Sequence, residues 1–65
     1  MILITEAEGI QVRTGKLLMA AGIETLEDLT ELTLNDVKKI RGMGRRGIDE
    51  ISFALDCEGL KLKEE

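Results

Sequence analysis

Two Thr-x-x-Asp signatures stand eight residues apart, Thr25-Leu26-Glu27-Asp28 and Thr33-Leu34-Asn35-Asp36, and they leave this protein little choice of architecture. In each, the Thr hydroxyl can accept the N–H three residues on, while the acid returns to the N–H of the Thr, which marks a helix start. Two starts so close permit only a short helix between them. The chain has no proline, so glycine supplies the other punctuation, chiefly at Gly22, Gly42, Gly44 and Gly59.

These marks predict four short helices. The first runs from about Arg13 to Ala21, with Leu17, Leu18 and Ala21 on one face; Gly22 stops it and Ile23 makes the contact that follows such a stop. The second buries Leu26, Leu29 and Leu32, and the third turns Leu34, Val37 and Ile40 inward. Gly42-Met43-Gly44 forms a tight hairpin. The fourth helix runs from about Arg45 to Glu58 with Ile48, Ile51 and Leu55 on its core stripe, and after Gly59 the residues Leu60 and Leu62 fold back. Met1 to Ile4 is extended, and Thr5 to Gln11 is an irregular entry. The expectation is an all-α, compact domain of four to five helices over residues 1–65, its core spanning about 10–63. Phe53 is the single aromatic residue, so that core is aliphatic.

Composition removes most chemistry. There is no histidine, so neither a Cys/His zinc site nor a Ser-His or Cys-His nucleophile pair can form. One cysteine, Cys57, allows no disulfide within the molecule and suits a reducing compartment. The longest apolar runs, Met1 to Ile4 and Leu17 to Ala21, fall far short of a membrane span. No metal site, no cofactor and no membrane contact are expected, and the sequence reads as a non-catalytic, cytoplasmic module.

Net charge is −4, which taken alone argues against nucleic acid. Its distribution argues the other way. Between Val37 and Gly47 lie Lys38, Lys39, Arg41, Arg45 and Arg46 with no acid, so a segment of +5 sits in a background of −9. Cations also open the first and fourth helices, Arg13 and Lys16 in one and Arg45 and Arg46 in the other, against the helix dipole. A helix start offers free N–H donors and partial positive charge, hence an anion site, and arginine suits it to phosphate. Ile40-Arg41-Gly42-Met43-Gly44 fits the hairpin of a helix-hairpin-helix motif. Its glycines let the backbone approach a ligand, Met43 anchors it to the core, and the amides of Gly44 to Arg46 face a phosphate. The bland alternative is a glycine-rich hairpin whose charges only solvate a face.

Val12-Arg13-Thr14, Ala21-Gly22-Ile23, Asp28-Leu29, Ile40-Arg41, Gly44-Arg45-Arg46, Glu50-Ile51 and Gly59-Leu60-Lys61-Leu62 resemble the C-terminal domain of the bacterial RNA polymerase α subunit. The likeness runs over residues 10 to 63. It implies two helix-hairpin-helix-like units, binding to the minor groove of A·T-rich DNA upstream of promoters, nucleoid association, and contacts with RNA polymerase, σ factor and transcription activators. It also implies Arg13 as the minor-groove arginine, Gly44 and Arg46 at backbone and phosphate, and Glu50 orienting the arginine by a salt bridge; Lys16, Gly42, Arg45 and Gly47 complete the candidate set. The sequence departs from the family at two of these positions. Lys16 stands where the family has Asn, and Gly47 where it has Ser, which points to weaker or less A·T-selective binding with steep salt dependence. Met1-Ile2-Leu3-Ile4 does not resemble the linker of a full α subunit, which leaves an excised domain or a free-standing paralogue and leans toward the latter.

Phe53 and Cys57 fall opposite the core stripe of the fourth helix, in line with Arg46 and Glu50. Two readings stand: Ile2-Leu3-Ile4 folds over them, or they form an exposed patch for a protein partner or a weak homodimer. The acids Glu24, Glu27, Asp28, Glu31 and Asp36 serve as caps and a solvated face, or as a surface for a basic transcription factor. The alternative function is a protein-interaction adaptor or decoy on the same fold that binds DNA weakly or not at all; a helix-hairpin-helix appendage of a repair enzyme accounts for less of the sequence.

Overall fold

A computed structural model describes residues 1–64. Four α-helices follow a 3₁₀ turn at Ile4–Glu6: α1, Val12–Ala20; α2, Leu26–Leu29; α3, Leu34–Lys38; and α4, Arg45–Cys57. Among the described residues there is no named strand, and the architecture is all-α.

Local chemistry sets the boundaries. Both capping boxes form in full: Thr25 accepts from the Asp28 N–H at 3.1 Å and Thr33 from the Asp36 N–H at 3.2 Å, each acid accepting the N–H of its Thr in return. At the end of α1 the Gly22 N–H donates to Met19 and the Ile23 N–H to Leu18 at 2.9 Å, with Gly22 at φ 87°. This is a Schellman closure, and it turns Ile23 into the core. Gly59 repeats it for α4, the Leu60 N–H donating to the Leu55 carbonyl at 2.8 Å.

Ile4, Ala7, Leu18, Ile23, Leu26, Leu29, Val37, Ile51, Ala54 and Leu55 make the core, with Leu60 and Leu62 packed against it as expected. Three inward assignments fail. Leu34 is 40% exposed, because α3 is little more than one turn and a single stripe position, Val37, reaches the interior. Ala21 lies just past α1, where the backbone is already turning, and is exposed. Leu17 is half-buried, since it borders a cleft rather than the core. The core also reaches ahead of residue 10, Ile4 being only 1% exposed.

Both ends of the molecule are strapped to the short helices. The Ile4 N–H donates to Glu24 and the Leu26 N–H to Ile2, both at 2.8 Å, in an antiparallel bridge of Leu3 with Thr25. The Lys63 N–H donates to Leu32 at 2.8 Å, beside a parallel bridge of Lys63 with Thr33. The first amide of a helix has no intrahelical acceptor, and Ile2 supplies one for α2. That pairing corrects the expectation that Ile2-Leu3-Ile4 covers Phe53 and Cys57. Phe53 is 56% exposed and Cys57 is exposed.

Candidate nucleic-acid interface

The two helices that begin with cations begin beside each other. Neither α1 nor α4 is capped by a side chain or has an acid in its first turn, whereas α2 and α3 have both features. Their starts open on one cleft of about 200 Å³, lined by Gln11, Arg13, Thr14 and Leu17 from α1 and its entry, Gly42 and Gly44 from the hairpin, and Arg46, Gly47 and Glu50 from α4. Six of the sequence candidates, Arg13, Gly42, Gly44, Arg46, Gly47 and Glu50, therefore share one surface although up to 37 residues separate them.

Local backbone needs explain the hairpin. Gly42 has φ 85°, and a Cβ there would come within 2.9 Å of Leu17 Cδ2. Gly44 differs: it caps α4 in an extended conformation, φ −103°, and no atom lies within 4 Å of where its Cβ would be. Gly44 lines the cleft, so α4 starts there with no Cβ in the way. Met43 packs against the core as expected, and its sulfur lies over Gly47, 2.5 Å from the position of an added Cβ. A serine at position 47 therefore requires the Met43 side chain to move, so the glycine at 47 goes together with the methionine at 43.

Other candidates lie elsewhere. Lys16 is exposed on the flank of α1 that borders a separate, mostly apolar cavity of about 400 Å³ with Ile4, Ile10 and Met19. Arg45 is exposed and outside the cleft lining, and Phe53 and Cys57 lie further along α4. Lys39 and Arg41, with Asp36 beside them, border a third, open and mostly apolar depression that meets the cleft at Leu17 and Gly42.

Glu50 departs from its expected contact. Its carboxylate accepts the Gln11 N–H at 2.9 Å, and the Arg13 salt bridge is not among the ion pairs of the described residues. The pair present there, Lys61 with Glu64 at 3.7 Å, is exposed and of small energetic weight. The arginines are thus left to solvent or ligand, while Glu50 fixes the loop that leads into α1. Gln11, Thr14 and Leu17 join the cleft without having been candidates. Thr14 stood only in the Val12-Arg13-Thr14 run of the resemblance and Leu17 only on the inward face, because a place in the cleft depends on α4.

Three carboxylates of α2 and α3 are held below the usual carboxylate range. Asp28 accepts the Glu24 and Thr25 N–H groups and Asp36 accepts the Thr33 N–H, and these bonds lower both. Glu27 is lowered first by the Ile2 N–H, which donates to it at 3.0 Å. Among the described residues no cluster could hold a metal ion, and no helix is long and apolar enough to cross a membrane.

Residues 9–56 match the family model of the C-terminal domain of the bacterial RNA polymerase alpha subunit. The protein belongs to this family. It is 40% identical over 55 residues to the DNA-directed RNA polymerase subunit alpha of Clostridium kluyveri, covering 85% of this sequence and 18% of that protein. The same subunit of Oenococcus oeni is 41% identical over 56 residues, covering 86% and 18%. That of Malacoplasma penetrans is 41% identical over 64 residues, covering 98% and 19%. The sequence thus spans about a fifth of the length of these relatives. All of the cleft residues fall within the matched segment.

Proposed function

We propose that this protein is a non-catalytic DNA-binding module of transcription that reads the minor groove of A·T-rich duplex DNA. Arg13 enters the groove, the amides at Gly44 and the start of α4 hold one flanking phosphate with Arg46, and Arg45 and Lys16 reach phosphates outside the cleft. One observation carries the reading: two helix starts, each rich in cations and free of first-turn acid, converge on one cleft. A narrow A-tract groove concentrates negative potential and draws an inserted arginine. Base readout there separates A·T from G·C and little more. Phosphate contacts fix register, and their number sets the salt dependence.

The same reading puts the module with RNA polymerase, σ factor or activators at promoters in the nucleoid, as a single domain that is monomeric or weakly dimeric. Phe53 and Cys57 offer an exposed contact for a protein. Titration with A·T-rich and G·C-rich duplexes at two salt concentrations tests it. Tighter binding of the A·T duplex, lost in Arg13→Ala, supports minor-groove reading. Equal affinity for both duplexes leaves only phosphate contact, and no binding at low salt leaves the adaptor function.

A further inference from the structure

Phe53 has no part in the core. It belongs neither to the buried cluster nor to the partly buried side chains packed against it, and it is 56% exposed. Its ring nevertheless has a definite neighbour. A Cβ on Gly9 would come within 2.9 Å of Phe53 Cε2 and closer still to Cδ2, so the ring lies directly on the Gly9 backbone, which turns there at φ 91°. One turn earlier on α4, Glu50 accepts the Gln11 N–H at 2.9 Å. Residues three apart on a helix share a face. Glu50 and Phe53 thus grip the backbone at two points, Gln11 and Gly9, immediately ahead of Arg13.

This grip matters because Ile10 and Thr14 pack the start of α1 inward, but no cap fixes its first turn. The Gln11 side chain, at the N-cap, makes no capping hydrogen bond, and the first turn has no acid. A site is only as well placed as the residues that support it. We infer that Phe53 is a positioning residue for Arg13: its ring on Gly9, with the Glu50 carboxylate on Gln11, sets where the start of α1 and its arginine stand relative to the start of α4. This rests on the DNA-binding reading above and adds to it a residue that never touches the DNA. It explains why an aromatic side chain sits on the solvent side of α4, and why the residue beneath it is glycine.

The test uses wild type, Phe53→Ala, Phe53→Tyr and Arg13→Ala. Binding of A·T-rich and G·C-rich duplexes is measured across salt, together with amide hydrogen exchange and thermal melting. Phe53→Ala is expected to lower the A·T over G·C affinity ratio about fivefold. The salt slope should hold, since the phosphate contacts at α4 are untouched. Exchange should quicken at Gln11 and Gly15, the two hydrogen-bonded amides of this helix start, and nowhere else. Phe53→Tyr, which keeps the ring on Gly9, should retain both the ratio and the slow exchange. Where Phe53→Ala fails to fold, Phe53→Leu gives the graded version, with an intermediate ratio expected.

Wild-type selectivity in Phe53→Ala, alongside its loss in Arg13→Ala, would sink the positioning role and leave the DNA reading standing. An equal fall in affinity for both duplexes that tracks a drop in melting temperature would make Phe53 merely structural and overturn the inference. A wild type that does not prefer the A·T duplex overturns the DNA reading and this role together; the exchange data then still show whether the grip on the loop exists.

Discussion

Gly42 and Gly44 stand two residues apart in one hairpin, and alanine at each should act on a different property. At Gly42, φ 85° places an alanine in the left-handed region, at about 1–2 kcal/mol. Its Cβ would meet Leu17 Cδ2 at 2.9 Å, and the end of that side chain must leave its rotamer for about 0.5–1 kcal/mol. The unfolded state returns about 0.4–1 kcal/mol because alanine has fewer conformations to lose. Net destabilisation is then about 1.5 kcal/mol, a fall in melting temperature on the order of 10 °C for a domain this small. At Gly44 the backbone is ordinary and the space is open. The same unfolded-state gain is offset by the poorer N-cap that alanine makes, so stability should change by less than about 0.5 kcal/mol. The new methyl instead stands in the cleft where a phosphate would approach. Thermal melts and duplex titrations of both variants read the contrast: Gly42→Ala melts early, and Gly44→Ala melts like wild type but binds poorly. A Gly44→Ala variant that binds duplex as well as wild type would refute the assignment of this amide cradle, and equal melting losses at both glycines would refute the backbone reasoning.

Thr33→Ala removes the hydroxyl that accepts the Asp36 N–H and should cost about 1 kcal/mol, read by chemical denaturation. Acid should loosen α2 and α3 before the rest. Glu27, Asp28 and Asp36 are all lowered by donors in the folded state, so the stability they lend is present above the ordinary carboxylate pKa of about 4 and disappears as pH falls through their lower folded values. Melting temperatures measured from neutral pH downward at constant ionic strength should decline over that window, and Asp28→Asn with Asp36→Asn should flatten the decline.

Most of the helical skeleton was legible in the residues because its signals are short. A capping box closes over three residues, and a Schellman turn over five, so Thr25, Thr33, Gly22 and Gly59 place four boundaries without knowledge of the rest. Core positions were legible where a helix is long enough for its period to show, as for Ile51 and Leu55 in the 13-residue α4. They failed at Leu34, where five residues of α3 present no stripe. The candidate site was legible in part. Cations at two helix starts and the glycine hairpin stand out along the sequence, and the cleft contains four of the residues they nominate, Arg13, Gly42, Gly44 and Arg46; Gly47 and Glu50 were nominated by the family resemblance.

Where helices start and stop, the aliphatic core and the gathering of positive charge at particular helix ends all follow from the residues alone. Each of these depends on residues within a turn or two of one another. Which starts meet depends on how the helices pack. The Glu50 carboxylate reaches Gln11 across 39 positions, Phe53 lies on Gly9, Leu3 pairs with Thr25 and Thr33 with Lys63. No periodicity encodes such pairs, since each follows from the way distant elements pack on a shared core. Packing brings the two exceptions to the helix-dipole rule in this acidic protein to the same cleft, the candidate site.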